Sequence, residues 1–390
     1  MRIESIFIGG WYQRTTLHLS EIYDFLQKAD SPLALDKKRL KDLRDRLKPQ
    51  KVEMRIREFE YIYLKTAGGI ETRIFEDGLI VLNKPVKDIK QDIKIITAFH
   101  EQDLSPALNY LFSLGAPVPK ELAKIATVYP YFILLRRARP EEINKLLKEL
   151  GQKKYFEIKK KEFEIYRGDK IYLINNLKET PEIITRLINE QIFVREFKIQ
   201  LHRYLNLHRI IWEKIAAVKE RGEITGQEAG PLKTQIESYN KTINLIDSRI
   251  NQMNNYLGTR EKVVKNDPKL KKIISVLQFK YETLNDTLDY VKEIWVMTKN
   301  YVDSSLNLFT AIQAKSTEAS IKNLTIITVT GVAATFLKLF SGDLPKFTTQ
   351  GLFYFLILVA AGYSADTIIR LVSKRKKYKI KEAAINKDID

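Results

Sequence analysis

From Lys269 to Phe340 the chain contains no proline and one glycine, Gly331. These two residue types interrupt helices most strongly, so a stretch this long without them can run as one element. Along it Ile274, Leu277, Tyr281, Leu284, Leu288, Val291, Trp295, Thr298, Val302, Ser305, Phe309 and Ile312 step by three and four in strict alternation. That spacing is the 3.5-residue repeat of helices packed in a left-handed supercoil. Asn266-Asp267-Pro268 supplies the start signal, a cap followed by a proline near the first turn. The expected result is a rod of roughly 110 Å at 1.5 Å per residue.

The rod ends in an apolar run, Ser320–Phe340, and a second run, Gly351–Val372, follows ten residues later. Each has the length of about 20 residues that a membrane-spanning helix needs. The spacing predicts a transmembrane hairpin with an external loop at 341–350. Lys374, Arg375, Lys376 and Lys377 crowd the second run, Lys315 and Lys322 flank the first, and the loop holds only Lys346. Positive charge stays on the cytoplasmic side and meets anionic lipid, so a two-span inner-membrane protein with both termini cytoplasmic is expected. The start of the chain, MRIESIFIGGWYQ, lacks a charged region followed by an apolar one, so insertion is expected to rest on the hairpin.

The remaining chain divides by pattern. Residues 1–178 read as an α+β domain with a mixed sheet. Arg2–Ile8 is a strand candidate, Ser20–Gln27 and Asp36–Leu47 are helical, and Val52–Thr66 alternates apolar and charged residues as a half-buried strand does. Two more strands turn at Glu76-Asp77-Gly78. Asp88–Leu114 reads as a helix broken near Pro106, Tyr129–Ala138 as a strand and Pro140–Leu150 as a helix. A last hairpin, Tyr155–Tyr166 with Lys170–Ile174, turns at Gly168-Asp169. Residues 179–265 form an antiparallel helical hairpin, Thr180–Arg221 and Gln227–Val264, broken by the glycines and proline of Arg221–Pro231. Residues 266–319 are the stalk helix, 320–340 and 351–372 the spans, and 373–390 a basic tail.

Composition narrows the chemistry. The formal charge of +18 fits contact with anionic lipid better than a stable nucleic-acid partner. Cysteine is absent, which excludes disulfides and thiolate metal sites. His18, His100, His202 and His208 are scattered, and no phosphate loop, Gly-x-Ser-x-Gly or His-Glu-x-x-His sequence occurs. Glu141-Glu142 opens a helix, where its charge suits the dipole. Catalysis is therefore not expected. Basic clusters at Lys37-Lys38-Arg39, Lys153-Lys154 and Lys159-Lys160-Lys161, interleaved with Tyr155, Phe156 and Phe163, are solvated faces or contacts for a phosphate-bearing ligand.

The order of these parts, with Leu324–Thr328 (LTIIT) and Thr335-Phe336 in the first run, resembles the CorA family of metal-ion transporters. The family signature, Tyr-Gly-Met-Asn, is replaced here by Ser341, Gly342, Asp343 and Leu344. The resemblance implies a homopentamer around a pore lined by Leu324, Thr328, Val332, Thr335 and Leu339, with Mg²⁺ or another divalent cation as substrate and regulator. Extending the stalk repeat instead gives Asn323, Ile326, Thr330, Ala333 and Leu337. Leu344 stands at the signature Asn, which meets the hydrated cation in the family, so the resemblance leaves the carboxylate of Asp343, one residue earlier, to take its place at the pore mouth; Lys338 either faces the pore or reaches outward to headgroups. CorA-like proteins without the signature occur beside prokaryotic CRISPR defence systems, which implies a second reading, an effector gated by a nucleotide messenger. A non-conducting anchored scaffold is the third.

Overall fold

The computed structural model describes residues 2–11, 18–56, 59–111, 131–339 and 375–380, with single positions between 353 and 367. The chain divides into two compact units, residues 1–207 with 245–292, and residues 208–244 with 293–390.

The first unit is built on a nine-stranded sheet. Its strands are β1 (Arg2–Trp11), β2 (Pro49–Arg55), β3 (Tyr61–Thr66), β4 (Glu71–Phe75), β5 (Leu79–Pro85), β6 (Tyr131–Arg136), β7 (Phe156–Lys159), β8 (Phe163–Arg167) and β9 (Ile171–Asn176). They lie in the order β2-β3-β4-β5-β1-β6-β9-β8-β7. Every pairing is antiparallel except β6 with β9, so the sheet is mixed as the sequence predicts.

Alternation along each strand gives the sheet two apolar faces. Ile6 and Ile8 of β1, Ile62 and Leu64 of β3 and Ile80 and Leu82 of β5 share one core with α1 (Leu19–Lys28), α2 (Lys37–Leu47), α3 (Ile89–Ala98), α4 (Ser105–Leu111) and α5 (Pro140–Glu149). Local signals place these helices. Asp36 Oδ1 accepts from Arg39 N at 2.7 Å at the start of α2, and Arg139 N donates to Glu142 Oε2 at 2.8 Å at the start of α5. The break expected near Pro106 is a π-helical segment, Phe99–Leu104, between α3 and α4. A proline lacks the amide that would close a normal turn, and the wider turn just before it absorbs the loss.

The other face meets α6 (Pro181–Lys219). A Cβ on Gly9 would sit 2.4 Å from Ile192 Cγ2 and 2.9 Å from the Ile80 carbonyl oxygen, so only glycine lets α6 lie this close to β1. Helices α7 (Gly226–Asn266) and α8 (Lys271–Leu339) complete the long elements. The seam read from the sequence holds: Leu277 to Ile312 are all buried at its positions, and Ile274 is half-buried.

Two strands were expected where four occur. Val52–Thr66 reverses between β2 and β3, and Tyr155–Tyr166 reverses between β7 and β8. In the second unit, Glu223–Thr225 (β10), at the α6–α7 turn, pairs antiparallel with Lys377–Lys379 (β11). Lys377 Nζ lies 3.2 Å from Glu223 Oε2 and Ile380 N donates to Gly222 O at 2.8 Å. Within that unit Trp212 stacks on Tyr301 at 4.2 Å, and His208 Nδ1 lies 2.5 Å from Thr298 Oγ1.

Helix α8 runs unbroken to Leu339, but no helix among the described residues is long and apolar enough to cross a membrane. The transmembrane hairpin of Ser320–Phe340 and Gly351–Val372, the inner-membrane location and the channel character drawn from them are corrected on that finding. The end of α8 sets Lys322, Thr325, Thr328, Thr330 and Lys338 among its aliphatic residues, and these weaken it as an apolar element. The loop 341–350, most of Gly351–Val372 and the tail beyond 380 lie outside the described residues.

Candidate functional site

On β2 the side chains of Val52 and Met54 pack against the main core, so Glu53 and Arg55 face the opposite way. Register carries that face across the sheet: Arg55 is opposite Tyr61, Tyr61 opposite Phe75, and Tyr63 opposite Arg73. The first turns of α6 form a second wall with Pro181, Thr185 and Asn189, and with Glu182 and Arg186, each set recurring every four residues. Phe59, Asp267 and Leu270 close the remainder. The cleft, open to solvent on one side, measures about 470 Å³, within the roughly 300–1,000 Å³ that small-molecule sites occupy.

The cavity is rich in guanidinium groups. Arg55 is held by Glu53, with Nη2 and Nε donating to Oε2 at 2.7 and 3.1 Å, and rests on the Tyr63 ring at 4.4 Å. Hydrogen bonds from Lys51 and then Arg55 hold the Glu53 carboxyl below the usual range. Burial, with the Glu71 hydrogen bond, pushes the Tyr63 hydroxyl up to about 12. Arg73 makes no ion pair with any carboxylate among the described residues. Arg186 lies over Phe59 at 4.5 Å, its Nε 3.0 Å from Glu190 Oε1, and its buried Nη2 has no hydrogen-bond partner. Asn189 is 6% exposed, and its Oδ1 accepts no hydrogen bond.

Beneath the cavity lies a buried ionic node. Arg260 of α7, 1% exposed, pairs through Nε with Asp77 and through Nη1 with Glu190 Oε1 at 3.0 Å. Tyr281 of α8 donates to Glu190 Oε2 at 2.6 Å. Arg260 also faces the rings of Phe59 at 4.7 Å and Phe193 at 4.4 Å, so Phe59 contacts both the Arg186 and the Arg260 guanidinium groups. Burial works against the charge on Arg260, and the two carboxylates outweigh it and hold the group protonated. Burial, with the neighbouring Glu190 charge, raises the Tyr281 hydroxyl.

This combination has the chemistry to hold an anion. Guanidinium groups form paired hydrogen bonds with phosphate, and the rings and cations offer stacking surfaces for a planar group. Glu182 and Asp267 at the wall limit the positive charge. The site was not visible in the sequence, because its residues come from β2, β4, α6 and the 3₁₀ turn Pro268–Leu270 and its flank. The one local signal was the alternation of apolar and charged residues over Val52–Thr66.

The residues singled out from the sequence stand elsewhere. Thr328 and Val332 are exposed positions on α8, while the side chains of Leu324, Thr335 and Leu339 lie outside the described set. Ser341, Gly342, Asp343, Leu344 and Lys374 also lie outside it. Arg375 and Lys376 are exposed, and Lys377 belongs to β11. Among the described residues no group of three or more His, Asp or Glu side chains is placed to hold a metal ion. No protein-family model matches the chain, and no curated protein sequence matches it.

Proposed function

We propose that the first unit is a receptor for a phosphate-bearing nucleotide, and that the chain is a self-associating, ligand-responsive protein with no catalytic role. The observation that carries this reading is the pairing, in one cavity, of an Arg73 guanidinium without a carboxylate partner among the described residues and a buried Asn189 carbonyl oxygen without a donor among them. A buried polar group left unpaired costs about 1–3 kcal/mol, and a ligand that supplies both partners recovers it. Phosphate answers Arg73 and Arg186. The exocyclic amine of a base answers Asn189, and Phe59, Tyr61 and Phe75 offer ring surface beside it. This is the messenger-receptor function implied by resemblance to CorA-like proteins lacking the Gly-Met-Asn signature. Self-association is supported by the apolar side chains that α8 leaves in solvent, Phe279, Tyr290, Val296 and Met297, each more than half exposed.

The test is calorimetric titration of the full chain with adenine and guanine nucleotides. Saturable binding is expected, weakened about tenfold in Arg73→Gln through loss of a charge-assisted hydrogen bond. Wild-type affinity in Arg73→Gln and Asn189→Ala, or no nucleotide binding at millimolar concentration, sinks the reading.

A further inference from the structure

On the same face of the sheet, at the strands farthest from this cavity, three cations gather without an ion pair to any carboxylate among the described residues. They are Arg167 of β8, Arg195 of α6 and Lys280 of α8. Arg167 and Arg195 lie 5.8 and 5.7 Å from the ring centre of Tyr172. Lys280 Nζ donates to Gln191 Oε1 at 2.5 Å, and the charge on Arg167 acts on Lys280. Glu196, next to Arg195 on α6, makes no ion pair with it, and its own Oε1 has no hydrogen-bond partner.

Donors outnumber acceptors here. Gln191 is 3% exposed and its Nε2 is buried without a partner, as is Arg195 Nε. Among the described residues these donors reach Gln191 Oε1, taken by Lys280, and the Tyr172 hydroxyl, 3.5 Å from Arg195 Nη1. Buried donors in native proteins are paired, and a cluster of cations with spare N–H groups calls for an oxygen-rich anion. We infer that Arg167, Arg195, Gln191 and Lys280 form a second site, for a phosphate dianion, separate from the nucleotide cavity.

The geometry suits this ligand. Two guanidinium groups offer forked donors to phosphate oxygens, and a lysine adds a point charge. Arg167 is exposed, so the site opens to solvent on the β8 side. Across the strands Phe156 of β7 is directly opposite Arg167, and its ring is 54% exposed. A phosphate held at Arg167 therefore has an open aromatic surface beside it, which a nucleoside would use and free phosphate would not.

The experiment titrates the full chain separately with inorganic phosphate and with adenosine monophosphate. Phosphate is expected to bind saturably, about tenfold more weakly in Arg167→Gln and in Lys280→Gln, and unchanged in Arg73→Gln of the first cavity. Arg167 is exposed, so its variant retains the fold, and its thermal midpoint is the control. If the nucleotide binds more tightly than phosphate and Phe156→Ala removes the difference, the site takes a nucleoside phosphate; equal affinities assign it to free phosphate. Absence of saturable phosphate binding, wild-type affinity in Arg167→Gln, or a loss confined to Arg73→Gln overturns the inference.

Discussion

Arg260 is the side chain on which the interior of the first unit most depends. It neutralises Asp77 and Glu190 at once, and the other contact of Glu190 Oε1 is Arg186 from the cavity wall. Arg260→Met leaves carboxylates buried without their partner, so unfolding in denaturant is expected to show a loss of about 3–5 kcal/mol. Glu196 poses the opposite problem. Burial pushes its carboxyl up to about 7 from an ordinary 4.5, against the pull of Arg195 and Arg203. As pH rises through that window the unfolded chain gives up the proton while the folded chain keeps it, so the group's contribution to stability falls and levels off above about 7. In Glu196→Gln this part of the pH dependence should vanish from denaturant midpoints. Gly9 is limited by space: Gly9→Ala should cost about 1–3 kcal/mol by overpacking, recovered in part by Ile192→Ala.

Among the elements, α8 was the most legible, because its two periods, seam and proline-free length, both follow from one repeat. Trp295 at the centre of that seam is 1% exposed, yet its Nε1–H has no hydrogen-bond partner. Trp295→Ala is therefore expected to cost about 3–5 kcal/mol, whereas Trp295→Phe removes an unpaired donor and should cost much less in thermal unfolding. The strands were less legible where reversals lack glycine and proline. Between β7 and β8 the turn is made by Lys160, Lys161 and Glu162, with Lys160 N donating to Phe163 O at 3.0 Å. The run Ile56–Glu60 between β2 and β3 likewise carries no turn-forming residue. Pairing of β10 with β11 joins segments more than 150 residues apart in sequence, and no local pattern announces such a contact. Truncation before Lys376 should expose Ile224, now 1% exposed, and speed hydrogen exchange of the Gly222–Gly226 amides.

At the scale of the molecule, net charge does not say where the proposed site forms. A formal charge of +18 favours anions in general, but Arg55, Arg73, Arg186 and Asn189 meet only after the sheet and α6 have packed. The apolar runs near the end of the chain pointed to lipid by their length alone, which does not weigh the lysines and threonines spaced through the first of them. If a nucleotide occupies the cavity, a hundredfold excess over its dissociation constant should raise stability by about 2.7 kcal/mol, read as a shift in thermal midpoint that shrinks as salt is added.

Arg186 and Arg260 both rest on the Phe59 ring and both reach Glu190 Oε1, Arg186 at the cavity wall and Arg260 sealed within. An occupant that draws Arg186 outward takes it from that shared oxygen, and Glu190 then answers to Arg260 and Tyr281 alone. The news of occupancy crosses no intervening side chain before it reaches the place where three helices share one proton-bearing hydroxyl and one carboxylate.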